Sequence, residues 1–435
     1  MSGCADNGLL LAAAGCLLLA GCGSGAAGGD RNGQMAAACD PAVEFCGSVP
    51  LSVNACSDSA FWPLTLQSGQ RPLTVHYSRL GERAKAAEVL AAIEQSWTVQ
   101  VDQLGFAAPL DDGGACGADG RYDVFLWAGV DGAYVEAVAD NPRTPYNDYS
   151  TYMAIDPNGA YGGDLMDTTL AHEFNHAVQA SDDWWENPLI FEMTATFAEG
   201  LVYPGRSDYF FTIRDFQARP DWSVFYDDAY QTWHMYGAAM FLHFLHQRYF
   251  AADRGFIARI WHAMRSDPQA DRPDYIDALT AILLNERGVT LNDAMVEFMQ
   301  WRWFVAGFDD GMHFEQGADW PAPVSYLQAN AADASIALDL DAMHYGAAYL
   351  LLQNNGDGER RFTVDFAADD LLTAWRLTTA AGDDAKAGID VPPQASVVLV
   401  ATALPAEPLS AAALAFDTHT AKLRLTARQV SAPLL

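Results

Sequence analysis

The segment His172-Glu173-Phe174-Asn175-His176 has the residue types and the spacing of a catalytic metal site carried by one helix. Side chains four residues apart lie on the same helix face, so both imidazoles can reach one metal ion. The glutamate beside the first histidine can take a proton from a water that the metal activates. The pattern therefore predicts metal-assisted hydrolysis, with Glu173 as the general base.

The residues around this motif predict a helix with a buried face. Asp167 is a candidate N-cap. Apolar residues recur at helical spacing: Leu170, Ala171, Phe174, Ala177 and Val178. Histidines on such a helix could also be ordinary hydrogen-bonded residues or the remnant of a lost site. A third metal ligand is therefore needed to distinguish these interpretations.

A catalytic zinc site has three protein ligands and keeps one position open. Glu192 opens a second helical run after the motif and is the predicted third ligand. Glu199 is an alternative, one and a half to two turns further along that helix, where it is expected to orient a ligand instead. Glu186, in the loop before the helix, is a second alternative.

Residues 191–199, FEMTATFAE, resemble the third-ligand helix of aminopeptidase-N-like enzymes, although Met193 replaces their glycine and the preceding gap is shorter. The chain is more similar to a group of largely uncharacterised secreted bacterial metalloproteases. In these, HEFxHAxQ precedes a tryptophan-containing loop, an ExxAxxxE helix and a Tyr-Pro element like Tyr203-Pro204. The resemblance runs from about residue 70 to the C-terminus and is closest over 121–245.

This resemblance implies a gluzincin-type zinc metallopeptidase in which His172, His176 and Glu192 bind Zn²⁺. It also implies a Tyr or His that stabilises the oxyanion of the reaction. Residues 230–242 resemble the Tyr-x-x-Gly-Ala helix of those enzymes, which makes His234 and Tyr236 candidates, unless their rings simply pack in the core. The implied substrate is a protein or peptide. Endopeptidase cleavage is favoured, because the amine-binding Gly-x-Met-Glu-Asn motif of aminopeptidases is not found.

The composition excludes some partners. Asp and Glu number 56 against 24 Lys and Arg, a net charge of -32, which argues against nucleic acid and anionic membrane surfaces. No apolar stretch after residue 25 approaches the length of a membrane-spanning helix. Residues 111–114 and 354–358 could bind calcium, although Asp-Gly pairs are usually turns. The oligomeric state is left open.

The N-terminus resembles a bacterial lipoprotein signal. Residues 9–21 are apolar, and the LAGC of 19–22 matches a lipobox, which predicts a signal peptide over 1–22 and a lipid anchor on Cys22. Glycine after that cysteine favours the outer membrane, and an extracellular location is the alternative for this exported protein. Residues 23–48 form a flexible tether. Four further cysteines predict two disulfides, and of the three possible pairings Cys39–Cys46 with Cys56–Cys116 is favoured.

Hydrophobic periodicity predicts an α+β fold. Residues 49–165 are expected to form a small mixed sheet, with a helix over 83–104 and strands over 75–77, 120–127 and 149–155. Residues 166–318 are expected to hold the active-site helix and helices near 208–217, 230–250, 254–266, 272–287 and 291–306. Residues 322–435 are expected to form a β-sandwich from runs such as 347–353, 361–366, 374–379 and 396–401. Together these predict a zincin-like catalytic domain followed by a C-terminal β-sandwich.

Two other functions are compatible with the sequence. One is a catalytically inactive zincin-like module that binds a surface ligand through the β-sandwich. The presence of Glu173 argues against it, because a binding module has no chemical need for that carboxylate. The other is a zinc hydrolase that acts on a non-peptide amide or ester of the cell envelope.

Overall fold

The computed structural model describes residues 39–428, apart from 131, 160–163, 207–209, 267–271 and 369. The predicted signal peptide, its lipobox and the first part of the predicted tether lie outside the described residues. The described chain has the expected α+β composition and divides into two compact units. The first comprises residues up to 103, 107–184 and 201–206, and the second comprises 104–106, 185–200 and 207 onwards. The domain boundaries given above stay predictions.

The first unit is a five-stranded sheet with two helices. Its elements are β1 Leu64–Gln67, β2 Leu73–Tyr77, α1 Arg83–Trp97, β3 Tyr122–Leu126, β4 Ala133–Asp140, β5 Tyr149–Ile155 and α2 Asp164–Ala180. The strand order is β1-β2-β3-β5-β4. Strands β2, β3 and β5 run parallel, whereas β1 and β4 are antiparallel to their neighbours. The predicted strands β2, β3 and β5 are confirmed, and β1 and β4 were not predicted.

Alternating side chains give the sheet two different faces. On one face, Tyr122 and the α1 residue Trp97 lie against Phe174 of α2, with ring centroids 6.1 and 5.7 Å away. On the other face, Phe125 packs edge-on against Trp62 at 5.1 Å. The active-site helix therefore covers one side of β3 only.

Both favoured disulfide pairings are present. Cys39 is bonded to Cys46, and Cys56 is bonded to Cys116 across a sequence separation of 60 residues. Cys116 is buried in an apolar cluster that includes Trp62. The longer disulfide thus fixes the loop before β3 to the segment that precedes β1.

The second unit contains most of the helices. These are α3 Pro188–Val202, α4 Phe210–Ala218, α5 His234–Gly237, α6 Ala239–Tyr249, α7 Phe256–Met264, α8 Tyr275–Ile282 and α9 Leu291–Trp301. The predicted helix start at 230 is wrong, because Ala229 and Tyr230 have φ angles of 51° and 60°, in the left-handed region that a helix cannot use. Among the described residues, no helix combines the length and the apolar character needed to cross a membrane.

Aromatic residues at helical spacing fill the core of these helices. Phe298 of α9 contacts Phe241 and Phe244 of α6, with ring centroids 5.1 and 5.5 Å apart. Gly237 lies where α5 meets α4, and a Cβ there would be 2.4 Å from the carbonyl oxygen of Thr212. Glycine is therefore required for this close helix approach.

The C-terminal residues form two four-stranded sheets. The strands are β6 Leu327–Asn330, β7 Ser335–Ala342, β8 Gly346–Asn354, β9 Arg360–Ala368, β10 Thr373–Thr379, β11 Ile389–Val391, β12 Ala395–Pro405 and β13 His419–Ala427. One sheet has the order β10-β12-β8-β6 and the other β11-β9-β13-β7. Leu350 and Leu399 of the first sheet share one apolar cluster with Leu340 and Leu423 of the second.

Candidate metal centre

The helix that carries the histidine motif begins earlier than predicted. Asp167 is not its N-cap, because α2 begins at Asp164 and includes Asp167 in its first turn. The Asp167 carboxylate accepts a hydrogen bond from Arg206, with Nη1 and Oδ2 2.6 Å apart. That guanidinium also lies 5.0 Å from the ring centroid of Tyr203. A negative charge in the first helical turn interacts favourably with the helix dipole.

The apolar face of α2 is as predicted. Five residues have no exposed surface: Leu170, Ala171, Phe174, Ala177 and Val178. Burial of this face leaves the motif side chains at its border, where His172 is 8% and Glu173 is 9% exposed. His176 is half-buried. The motif is therefore held by a rigid core while its polar groups retain some contact with solvent.

The three predicted metal ligands are grouped together. One ligand atom each of His172, His176 and Glu192 lies within 4.8 Å of the other two. The two imidazoles have centroids 4.7 Å apart and are nearly perpendicular, at 89°. Ligands about 2.1 Å from a tetrahedral zinc ion are roughly 3.4 Å from one another. The grouping thus fits one ion after small side-chain adjustments.

A hydrogen bond orients the second imidazole. Nδ1 of His176 is 2.8 Å from Oε1 of Gln179. Because an amide oxygen can only accept, Nδ1 carries the hydrogen and Nε2 keeps its lone pair. A metal-binding histidine needs this arrangement, in which one ring nitrogen donates to a neighbour and the other faces the ion.

Gln179 is itself held by two further amides. Its Nε2 donates to Oδ1 of Asn175 at 2.5 Å, and Nδ2 of Asn175 donates to Oε1 of Gln100 at 2.9 Å. Nε2 of Gln100 donates to the carbonyl oxygen of Ala171 at 2.8 Å. We call Gln100, Asn175 and Gln179 the amide chain. All three are completely buried, so each hydrogen bond is made away from competing water.

Gln100 lies in the part of the predicted helix over 83–104 that does not continue in α form. The α-helix ends at Trp97, and residues Thr98–Gln103 form a π-helical turn. Such turns alter the direction of the side chains that follow an α-helix, and they are frequent at functional sites. Sequence analysis missed the amide chain. The available signal was Asn175 and Gln179 at a spacing of four within an apolar helix.

Glu173 lies near a phenol that stays protonated. Tyr122 is fully enclosed, and burial raises the pKa of its hydroxyl well above the usual range. The negative charges of Glu173 and Asp123 raise this pKa further. The Tyr122 hydroxyl is therefore neutral and does not compete with Glu173 for protons near neutral pH.

The two alternative carboxylates occupy different places. Glu186 precedes α3, and its Oε1 accepts a hydrogen bond from the backbone N–H of Asn187 at 2.8 Å. Glu199 lies on α3 and is 8% exposed. The group of potential metal ligands that contains the two histidines includes Glu192, so Glu192 is the candidate third ligand.

Helix α3 is fixed by its buried neighbours. The Thr194 hydroxyl donates to the backbone carbonyl of Ile190 at 2.6 Å and accepts from Nε1 of Trp261, on α7, at 3.2 Å. The ring of Phe191 also packs edge-on against Trp261 at 4.9 Å. These contacts lie on either side of Glu192 in sequence and limit the rotation of the helix that carries it.

The two candidates for the oxyanion donor differ in burial. His234 is completely buried, and its Nε2–H donates to the backbone carbonyl of Ser223 at 2.9 Å. Burial lowers the pKa of His234 to about 3, so the ring is neutral. Tyr236 is half-buried and packs against Trp233 with ring centroids 5.1 Å apart. The catalytic role of either residue stays a prediction.

The resemblance to gluzincin-type peptidases depends on the motif residues themselves. No protein-family model matches the chain, and no curated protein matches it.

Proposed function

We propose that this chain is a gluzincin-type zinc metallopeptidase that hydrolyses peptide bonds in a protein or peptide substrate. One observation carries the proposal: ligand atoms of His172, His176 and Glu192 lie within 4.8 Å of one another, with Glu173 adjacent on α2. Two imidazoles and one carboxylate suit zinc and leave a coordination position open, as catalytic sites require.

The metal and the residues of the proposed site have separate roles in the reaction. Zinc in this site supplies a Lewis acid and lowers the pKa of water towards about 7. The Glu173 carboxylate accepts the proton of the attacking water and delivers it to the nitrogen of the leaving amine. We assign the oxyanion donor to Tyr236, because the Nε2–H of His234 is already bonded to the carbonyl of Ser223.

We also propose the zincin-like arrangement for the catalytic part and a β-sandwich for residues 322–435. An antiparallel edge strand beside the parallel strands supports the first assignment, since β4 ends the sheet order next to β5. Such an edge can bind an extended substrate by adding a strand to the sheet. Two four-stranded sheets that share an apolar cluster support the second assignment.

Export to an oxidising compartment is part of the proposal. The disulfides Cys39–Cys46 and Cys56–Cys116 support it, because such bonds persist where thiols are not kept reduced. Attachment to the outer membrane through a lipid on Cys22 rests on the lipobox alone.

The test compares zinc content and casein hydrolysis for residues 23–435 and for Glu173→Gln. We expect one zinc per chain in both proteins and hydrolysis reduced by about 10²–10⁴ in the variant. Glu186→Gln is the matched control, because it makes the same chemical change outside the ligand group and should leave hydrolysis unchanged.

Other results would favour the alternatives. Zinc without casein hydrolysis in the parent protein would point to a binding module, or to a non-peptide substrate that an ester and amide panel can detect. A folded protein without zinc would overturn the proposal.

A further inference from the structure

A second polar cluster lies on the face of the sheet opposite α2. Asp123 follows Tyr122 on β3, so the two side chains point to opposite faces. Asp123 is 1% exposed, and its Oδ1 lies 2.6 Å from Nε2 of His76 on β2. The ring of His76 stacks on Phe125, with centroids 4.6 Å apart. This cluster is therefore separate from the histidine motif.

One oxygen of this buried carboxylate is not hydrogen-bonded. Among the residues that the structure describes, Oδ2 of Asp123 has no hydrogen-bond partner. A buried carboxylate oxygen without a partner is costly, so something is expected to satisfy it. Ligand atoms of Asp112, Cys116 and Asp123 lie within 4.8 Å of one another. The Cys116 sulfur is already bonded to Cys56, which leaves the carboxylates of Asp112 and Asp123 as the possible ligands of this group.

The surroundings of these carboxylates are strongly negative. Burial raises the pKa of both Asp112 and Asp123. The negative charge of Asp111 also raises the pKa of Asp112, and that of Asp119 also raises the pKa of Asp123. His76 is the basic group that contacts Asp123 directly. Asp112 accepts hydrogen bonds from the backbone N–H groups of Gly114 and Cys116, whereas Oδ2 of Asp123 has no such donor among the described residues. A shared proton or a cation is therefore expected at that oxygen.

We propose that Asp112 and Asp123 bind a divalent cation, calcium, between the loop over 111–119 and strand β3. The available donors are oxygens, which calcium prefers. The loop lies directly against this carboxylate, because a Cβ on Gly117 would lie 2.3 Å from Oδ1 of Asp123. With two carboxylates we expect a dissociation constant of about 10⁻⁴–10⁻³ M, as in extracellular calcium modules.

Calcium here would stabilise the loop and the first unit, and the inference does not depend on zinc. The proton of a shared-proton pair would be lost as the pH rises, whereas a calcium site becomes stronger as its carboxylates ionise. The two arrangements therefore predict opposite effects of pH on stability.

The experiment measures the melting temperature of residues 23–435 at pH 7.5 with zinc present and without chelator. At 10 mM calcium we expect a rise of about 3 °C, with a smaller rise for magnesium. Asp123→Asn and Asp112→Asn should each abolish the calcium effect. Asp102→Asn, which removes a surface carboxylate paired with Arg71, should keep it.

Isothermal titration with calcium chloride provides the stoichiometry, which we expect to be one per chain and zero in the two variants. If Asp123→Asn does not fold, Asp112→Asn decides, since Asp112 lies in a loop and is only half-buried. A calcium effect that survives Asp112→Asn would overturn the inference. No calcium effect in the parent, together with stability that falls as the pH rises from 5 to 8, would assign the pair to a shared proton.

Discussion

Replacing Gln179 by leucine should weaken zinc binding, although this residue does not touch the metal in the proposed site. The substitution keeps the approximate size of the side chain and removes the acceptor of the His176 Nδ1–H bond, which measures 2.8 Å. It also removes the donor to Asn175. The imidazole of His176 can then rotate or take the tautomer that has a hydrogen on Nε2, and in neither state does Nε2 offer its lone pair to the proposed metal site.

The magnitude follows from the position of Gln179. Loss of a partner that orients a metal-binding histidine typically costs 10–100-fold in affinity, which equals about 1.4–2.7 kcal/mol. Gln179→Glu retains an acceptor for Nδ1–H and should bind zinc at least as tightly as the parent. Gln100 is connected to Gln179 through its bond to Asn175 and the bond from Gln179 to Asn175. We therefore expect Gln100→Leu to lower the zinc affinity less, roughly threefold.

The assay is competition for zinc with a chromophoric chelator at pH 7.5. Melting temperatures of the zinc-free proteins are measured in parallel, because an unpaired buried donor or acceptor costs about 1–3 kcal/mol in folding. Gln179→Leu should lower both the zinc affinity and the melting temperature. Gln179→Glu should preserve affinity, which separates orientation of His176 from loss of packing.

A zinc affinity of folded Gln179→Leu within twofold of the parent would refute this reasoning. The hydrogen bond would then have no role in preparing His176 for a metal. If the parent protein itself binds no zinc, the failure lies in the proposed function and the amide chain is simply a buried structural network.

Three further perturbations have defined outcomes. Glu192→Ala should eliminate stoichiometric zinc in metal analysis while the protein stays folded, and retention of one zinc would exclude this ligand. Tyr236→Phe should lower kcat by about 10²–10³ with little change in KM. His234→Leu should instead lower the melting temperature, because it leaves a buried carbonyl unpaired. A loss of kcat in the His234 variant but not in the Tyr236 variant would assign the oxyanion donor to His234. Replacing both Cys56 and Cys116 by serine should reduce the free energy of unfolding by about 4 kcal/mol, because the disulfide closes a loop of 60 residues. Urea denaturation measures this change, and an unchanged midpoint would contradict it.

Strands dominated by apolar residues could be predicted from the sequence, whereas several strands at the edge of a sheet could not. The runs that became β3 and β8 are dominated by apolar residues, which few other structures can bury. Strand β6 has mostly exposed residues, and β4 has mostly half-buried or exposed ones. Strand β6 is placed by parallel pairing with β8, and β4 is placed by antiparallel pairing with β5. Burial is too slight in either strand to give a clear apolar pattern.

Strand β13 was missed for a different reason. It lies between β9 and β7, so it is a central strand. Its buried residues Ala421, Leu423 and Leu425 alternate with exposed residues that include Lys422 and Arg424. This alternation is a true strand pattern, but the charged residues on the exposed face interrupt every apolar run. Alternation alone would have identified it.

The same distinction explains which parts of the candidate site could be predicted. Metal chemistry restricts ligands to a few residue types, and a helix fixes their spacing, so His172, Glu173 and His176 stand out in the sequence. Amides have no such restriction. Gln100 lies 75 positions from Asn175, and it belongs to the π-helical turn that follows α1. A buried amide is costly unless it is hydrogen-bonded, and Gln100 makes its bonds to Asn175 and to the carbonyl oxygen of Ala171, both on α2. The buried position of Gln100 therefore depends on contacts that only the folded chain supplies.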